Sequence, residues 1–167
     1  MQKIKFLHVT KPVRKPVNTA FSDGLGGEPC IYPYLKDAIV KLNENGIEVA
    51  IITNGSLMER MGIIEVANHL NYIAVSVPSC DPETFERITG KSFVEKVLSL
   101  PKKIRDMHGD NSPILGTRVV ITNIIAEEVP SILQTLKDRG FDYANFKIVR
   151  DYESRGLGVS EIGRAHV

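Results

Sequence analysis

Glu48-Val49-Ala50-Ile51-Ile52-Thr53 runs directly into Asn54-Gly55-Ser56, and this stretch decides the fold class. A nearly unbroken apolar run that stops at turn formers marks a strand buried on both faces, as in a parallel sheet covered by helices. The same signal recurs at Asn71-Tyr72-Ile73-Ala74-Val75-Ser76-Val77, at Thr117-Arg118-Val119-Val120-Ile121-Thr122 and at Tyr143-Ala144-Asn145-Phe146-Lys147-Ile148-Val149. A weaker candidate spans 19–25, just before Gly26-Gly27. Between these runs the apolar period lengthens to that of helices. Residues 34–45 carry Leu35, Ala38, Ile39 and Leu42 on one stripe, ended by Gly46. Residues 57–70 read as a helix with Met58, Met61, Ile64 and Leu70 inward. Asp81-Pro82-Glu83 starts a short helix, with Asp as N-cap and proline in the first turn, that stops at Gly90. Two more helices are expected over 93–108 and 127–139, the second closed by Gly140. Strand and helix in alternation, joined by short polar links, imply a parallel sheet with right-handed crossovers. Spacing alone leaves two forms open, a doubly wound sheet and part of a (β/α) barrel.

The 167 residues allow one domain with a real core, and 43% hydrophobic with 25% charged residues is ordinary for a globular protein. A net charge of +1 gives no reason to expect nucleic acid or a membrane surface as partner. No apolar run reaches the roughly 20 residues of a membrane span, and the start lacks a signal-peptide pattern, so the cytoplasm is the expected location. Two cysteines, Cys30 and Cys80, form no disulfide framework and no metal-binding pair, and a buried free thiol is expected at each. Lys3, Lys5, Lys11, Arg14 and Lys15 make residues 1–18 an irregular basic lead-in. At the other end, 161–167 (Glu161-Ile162-Gly163-Arg164-Ala165-His166-Val167) reads as a translated sequencing adapter, which leaves 151–160 as the start of a C-terminal extension.

In parallel α/β folds the ligand rim lies at the carboxyl ends of the strands. Those ends carry Gly26-Gly27-Glu28-Pro29, Thr53-Asn54-Gly55-Ser56, Ser76 to Asp81, Thr122-Asn123, and Lys147 to Arg150. Adjacent glycines let backbone groups approach a ligand, Glu28 adds an acceptor for an ammonium or for N–H donors, and Pro29 fixes the exit of the chain. The order Gly26-Gly27-Glu28-Pro29, then Ile52-Thr53-Asn54-Gly55, then Val75-Ser76-Val77 with Asp81-Pro82-Glu83-Thr84 and Phe85-Glu86-Arg87-Ile88-Thr89-Gly90, resembles the radical S-adenosylmethionine (radical SAM) family. Gly116 to Ile121 and Phe146-Lys147-Ile148 fall where that family has its fifth and sixth strands, so the likeness covers 21–150.

The resemblance implies a parallel-stranded partial (β/α)6 TIM-like barrel over 19–150, without its first strand and cysteine loop. It implies SAM as cofactor, and a 4Fe–4S cluster in the complete parent only. By similarity Gly26, Gly27 and Glu28, followed by Pro29, hold the SAM amino group, Thr53 and Asn54 lie near its polar end, and Ser76 lies near its ribose or carboxylate. Arg87 is expected at the SAM carboxylate, and Val120, Ile121 and Thr122 beside the adenine. Asn123 and Lys147 receive no role beyond facing the rim. The family's Cys-x3-Cys-x2-Cys motif is missing, since no cysteine precedes Cys30, and such clusters need several thiolates together. The expected reading is therefore a fragment of a radical SAM enzyme that does not by itself cleave SAM reductively, and whether its motif lies upstream of Met1 stays open. The substrate is unassigned. One alternative is a non-catalytic SAM- or nucleotide-binding paralogue that has lost the cluster. Another is an unrelated phosphate-binding barrel, for which the late strands lack a glycine-rich phosphate loop.

Overall fold

Five strands form a single sheet in a computed structural model that describes the backbone of residues 19–22 and all of 27–148. Gly26, the lead-in, the 151–160 segment and the 161–167 tail lie outside the described residues. The strands are β1 (Thr19–Ser22), β2 (Glu48–Thr53), β3 (Tyr72–Ser76), β4 (Ile114–Ile121) and β5 (Tyr143–Ile148). Every neighbouring pair is parallel, and the spatial order is the chain order. A doubly wound sheet must reverse its strand order at a switch point. Here each crossover steps one strand further in the same direction, which is the barrel arrangement. The two forms that spacing left open are thereby separated.

Because side chains alternate along a strand, the register sorts each strand into two faces. Val49 and Ile51, Ile73 and Val75, and Leu115 and Val119 belong to one buried cluster with Ile39, Leu98, Ile104, Ile132 and Leu136. That cluster is the layer between sheet and helices. The opposite face, the lumen, receives Ala50 and Ile52, Tyr72, Ala74 and Ser76, Gly116, Arg118 and Val120, and Tyr143, Asn145 and Lys147.

The helices are α1 (Leu35–Glu44), α2 (Pro82–Thr89), α3 (Val94–Leu98), α4 (Leu100–His108) and α5 (Val129–Asp138). The start of α2 is as expected: the Asp81 side chain accepts from Thr84 N–H at 2.8 Å, and Gly90 ends the helix at φ 68°. Residues 57–70 depart from expectation. They fold as turns followed by a 3-10 segment, Ile64–His69, because Gly62 sits at φ 67° and Val66 at φ −110°, ψ 15°. The apolar stripe still works, for Met58, Ile64 and Leu70 are buried. The helix expected over 93–108 breaks at Ser99, since Pro101 has no N–H to donate to the carbonyl four residues back.

The amino ends of the strands are tied by one device used twice. Asn71 Oδ1 accepts from Val49 N–H at 3.0 Å while Asn71 N–H donates to Val49 at 2.8 Å. Asp142 does the same with Leu115, at 2.7 and 2.8 Å. Each is followed by a tyrosine, and the Tyr72 and Tyr143 rings stack with centroids 5.4 Å apart and planes 11° apart. The Tyr143 ring crosses directly over Gly116, where an added Cβ would lie 2.0 Å from the nearest ring atom. Gly116→Ala is therefore expected to cost about 1–3 kcal/mol in urea unfolding, and clearly less in a Tyr143→Ala background. Equal losses in both backgrounds would show that the ring is not the cause.

Candidate functional site

The site begins at the loop after β1. Gly27 has φ 120°, a conformation side chains rarely adopt, and no atom lies within 4 Å of where its Cβ would be. The next residue, Glu28, caps the 3-10 turn Pro29–Ile31: its Oε1 accepts from Cys30 N–H at 3.1 Å. Oε1 also accepts from the Thr53 hydroxyl, and Oε2 accepts from Asn54 N–H at 2.7 Å. One carboxylate thus fastens the glycine loop to the carboxyl end of β2, with Oε2 retaining acceptor capacity. Thr53 Oγ1 in turn accepts from Gly55 N–H at 3.0 Å, and Asn54 Oδ1 accepts from Ser56 N–H at 2.9 Å and Ser56 Oγ at 2.6 Å.

Asn54 joins this knot to a cleft of about 460 Å³ that opens over the lumen face. The register dictates its polar lining: Ser76 pairs with Arg118 and Arg118 with Asn145, so three polar side chains lie in one layer across β3, β4 and β5. Val120 and Lys147 form the next layer outward. Phe85 and Phe93, packed edge-to-face at 5.1 Å, supply an apolar wall, with Thr89 one turn beyond Phe85. Among the described residues the lining holds two cations, Arg118 and Lys147, and no carboxylate. Neither cation has an ion pair among the described residues. The loop after β3 is braced from α5: the Glu128 carboxylate accepts from Ser79 Oγ at 2.9 Å and Thr84 Oγ1 at 3.1 Å, and Ser79 Oγ accepts from Asp81 N–H at 3.1 Å.

The sequence profile of the radical SAM superfamily matches residues 11–143. The chain belongs to the radical SAM superfamily. A probable GTP 3',8-cyclase of Methanothermobacter thermautotrophicus is 28% identical over 116 residues, 69% of this chain and 37% of that protein. The S-adenosyl-L-methionine-dependent tRNA 4-demethylwyosine synthase of Methanocaldococcus jannaschii is 31% identical over 154 residues, 91% of this chain and 41% of that one. The chain thus spans well under half the length of these curated relatives. Among solved structures, SuiB of Streptococcus suis bound to S-adenosylmethionine superposes with TM-score 0.66 at 16% identity, covering 84% of this chain and 32% of SuiB. At that identity the likeness concerns the fold, and it agrees with the partial barrel.

Radical SAM enzymes use SAM and a 4Fe–4S cluster. The two cysteines of this radical SAM chain do not fit the cluster. Cys30 is fully buried between the knot and the core, its Sγ 3.5 Å from Thr53 Oγ1, and Cys80 lies half-buried after β3. No group of three metal-binding side chains exists among the described residues. Burial pushes the Cys30 thiol up to about 12, the Thr53 bond opposing and the Glu28 carboxylate adding to the rise. Burial likewise lifts Cys80 to about 11, with Arg139 opposing. Two thiols, one after β1 and one after β3, do not make up the set of three that such a cluster needs.

The residues singled out in the sequence divide. Glu28, Thr53 and Asn54 meet in the knot, and Ser76 reaches the cleft beside Asn54. Pro29 starts the 3-10 turn. Arg87 does not join them: it is exposed on α2, two residues and so roughly 200° around the helix from the cleft-lining Phe85. The guanidinium in the cleft is Arg118. Ile121 faces the helices, half-buried Thr122 has an Oγ1 with no partner among the described residues, and Val120 alone of that trio lines the cleft. Arg118, Asn145 and Glu128 carry no motif. Period-2 alternation from the apolar positions of β4 and β5 was the signal for the first two. For the described residues, no helix is long and apolar enough to cross a membrane.

Glu28→Ala removes three hydrogen bonds to a charged acceptor and is expected to lower stability by about 2–4 kcal/mol in urea unfolding. A loss below about 0.5 kcal/mol would mean the knot is not structural. The raised thiols have a defined pH signature. Their folded values exceed the ordinary 9.0, so the unfolded chain loses these protons first, and stability is full below pH 9 and falls as pH rises toward 11 to 12. Urea midpoints measured from pH 8 upward should drop, and Cys30→Ala should flatten the slope.

Proposed function

We propose that the cleft is the SAM site of a radical SAM core, and that the chain contributes the SAM-facing part of the enzyme. The observation that carries this reading is Asn54, whose N–H is held by Glu28 Oε2 at 2.7 Å while its side chain lines the cleft with Ser76 and Arg118. One residue therefore connects the glycine loop to the polar layer.

In this reading Gly27 leaves backbone groups open to the SAM amino group, and Glu28 offers the free acceptor capacity of Oε2. Arg118 takes the SAM carboxylate, a planar fork suited to a planar anion. Ser76 and Asn54 address the ribose hydroxyls, and Val120 packs on the adenine with the backbone of Ile121 and Thr122 beside it. The Glu28 and Glu128 braces fix the two loops, so that little ordering is left to occur on binding. When bound, SAM would supply the radical chemistry of the family, with Asn54, Ser76 and Arg118 as the residues that would hold it in the cleft. The reading includes no nucleic-acid or membrane partner, in keeping with the +1 charge, and a cytoplasmic location, for which the free cysteines speak.

Calorimetric titration of the chain with SAM tests it. Arg118→Ala and Asn54→Ala should each weaken binding about tenfold or more, whereas Arg87→Ala should leave it within about twofold. No saturable binding by the unmodified chain, or a larger loss for Arg87→Ala than for Arg118→Ala, would sink the assignment.

A further inference from the structure

Lys147 has no part in holding the cofactor, yet it lines the same cleft. It lies on the lumen face of β5, paired with Val120, two residues beyond Asn145 and so about 7 Å further toward the open end of the lumen. The cleft wall beyond the polar layer otherwise offers Val120 and Pro78, both apolar. Arg118 is answered by the SAM carboxylate in the proposed site. Lys147 is answered by nothing, since no carboxylate lines the cleft and no ion pair engages this side chain among the described residues.

Lys147 is exposed while the cleft stands open, but beside Val120 and Pro78 its ammonium loses hydration as the cleft fills. An ammonium left uncompensated there would oppose binding of any second occupant that lacked a negative charge. We propose that Lys147 is the anchor for the substrate, which carries an oxyanion, a phosphate or a carboxylate, held by the Lys147 ammonium beside the cofactor, in the layer of Val120. The Asn145 amide, on the same face one layer inward, is placed to donate to the same anion. The proposal rests on the SAM reading of the cleft, because SAM is what occupies Arg118.

Calorimetry on the SAM-saturated chain, with pyrophosphate and malonate as separate probes, decides the matter. At least one probe should bind, Lys147→Gln should weaken that binding about tenfold, and Lys147→Arg should restore most of it. SAM affinity of both variants should stay within about threefold. Binding of pyrophosphate alone marks a phosphate-bearing substrate, and of malonate alone a carboxylate. The proposal is overturned if neither anion binds beside SAM, if Lys147→Gln changes nothing, or if the anions bind only when SAM is absent. The last result would put them on Arg118. Failure of SAM itself to bind would remove the cofactor reading and this inference with it, an outcome separate from loss of anion binding alone.

Discussion

The register of the parallel ladders governs this structure. Tyr72 pairs with Ile114, Ala74 with Gly116 and Ser76 with Arg118, and Gly116 and Arg118 pair in turn with Tyr143 and Asn145. A slip of one residue on β4 would turn Arg118 into the helix layer and Val119 into the lumen. Two features hold the pairing in place. At the amino ends, Asn71 and Asp142 each bind the neighbouring strand through both side chain and backbone. Within the lumen, the Tyr143 ring occupies the space that Gly116 leaves empty and stacks on Tyr72. Glycine is needed at 116 for room rather than for flexibility, and the polar layer above it follows from the same alignment.

At the opposite end the loops are held by carboxylates that act inward. Glu28 spends most of its acceptor capacity on Cys30, Thr53 and Asn54, and Glu128 spends its own on Ser79 and Thr84. Both acids sit where the sequence suggests ligand chemistry or nothing at all, and both set the shape of the cleft. The consequence, among the described residues, is a lining with cations and amides but no negative charge. That polarity suits anionic groups on whatever enters.

Membership in the radical SAM superfamily sits beside an absence of cluster ligands among the described residues. The two cysteines that exist are built into packing: Cys30 belongs to the buried core cluster beside Thr53, and Cys80 lies against α5 with its Sγ 4.0 Å from the Ile132 carbonyl. Their raised thiols follow from that burial. The chain thus has the family's barrel strands, while its two cysteines serve packing.

Much of the fold was legible because its signals are local. The apolar run Val49 to Ile52, the N-cap at Asp81 and the stop at Gly90 each express a preference that neighbouring residues already satisfy. The motif Gly26-Gly27-Glu28-Pro29 was readable for the same reason, and it led to the family. Residues 57–70 and 93–108 misled where a stripe looked helical although Gly62, Val66 and Pro101 opposed a continuous ladder. Buried stripes need only correct spacing, which turns and 3-10 segments can also provide. Whether the sheet was doubly wound or barrel-like, and which arginine lines the cleft, depended on strand order and register. Those are set by contacts between residues far apart in sequence. Arg87 stands in a motif and points to solvent, whereas Arg118 stands in an ordinary strand and enters the cleft. The sequence determined which segments become strands and which family they form; only the paired sheet decided which side chains meet, because that depends on alignment between strands that no single strand encodes.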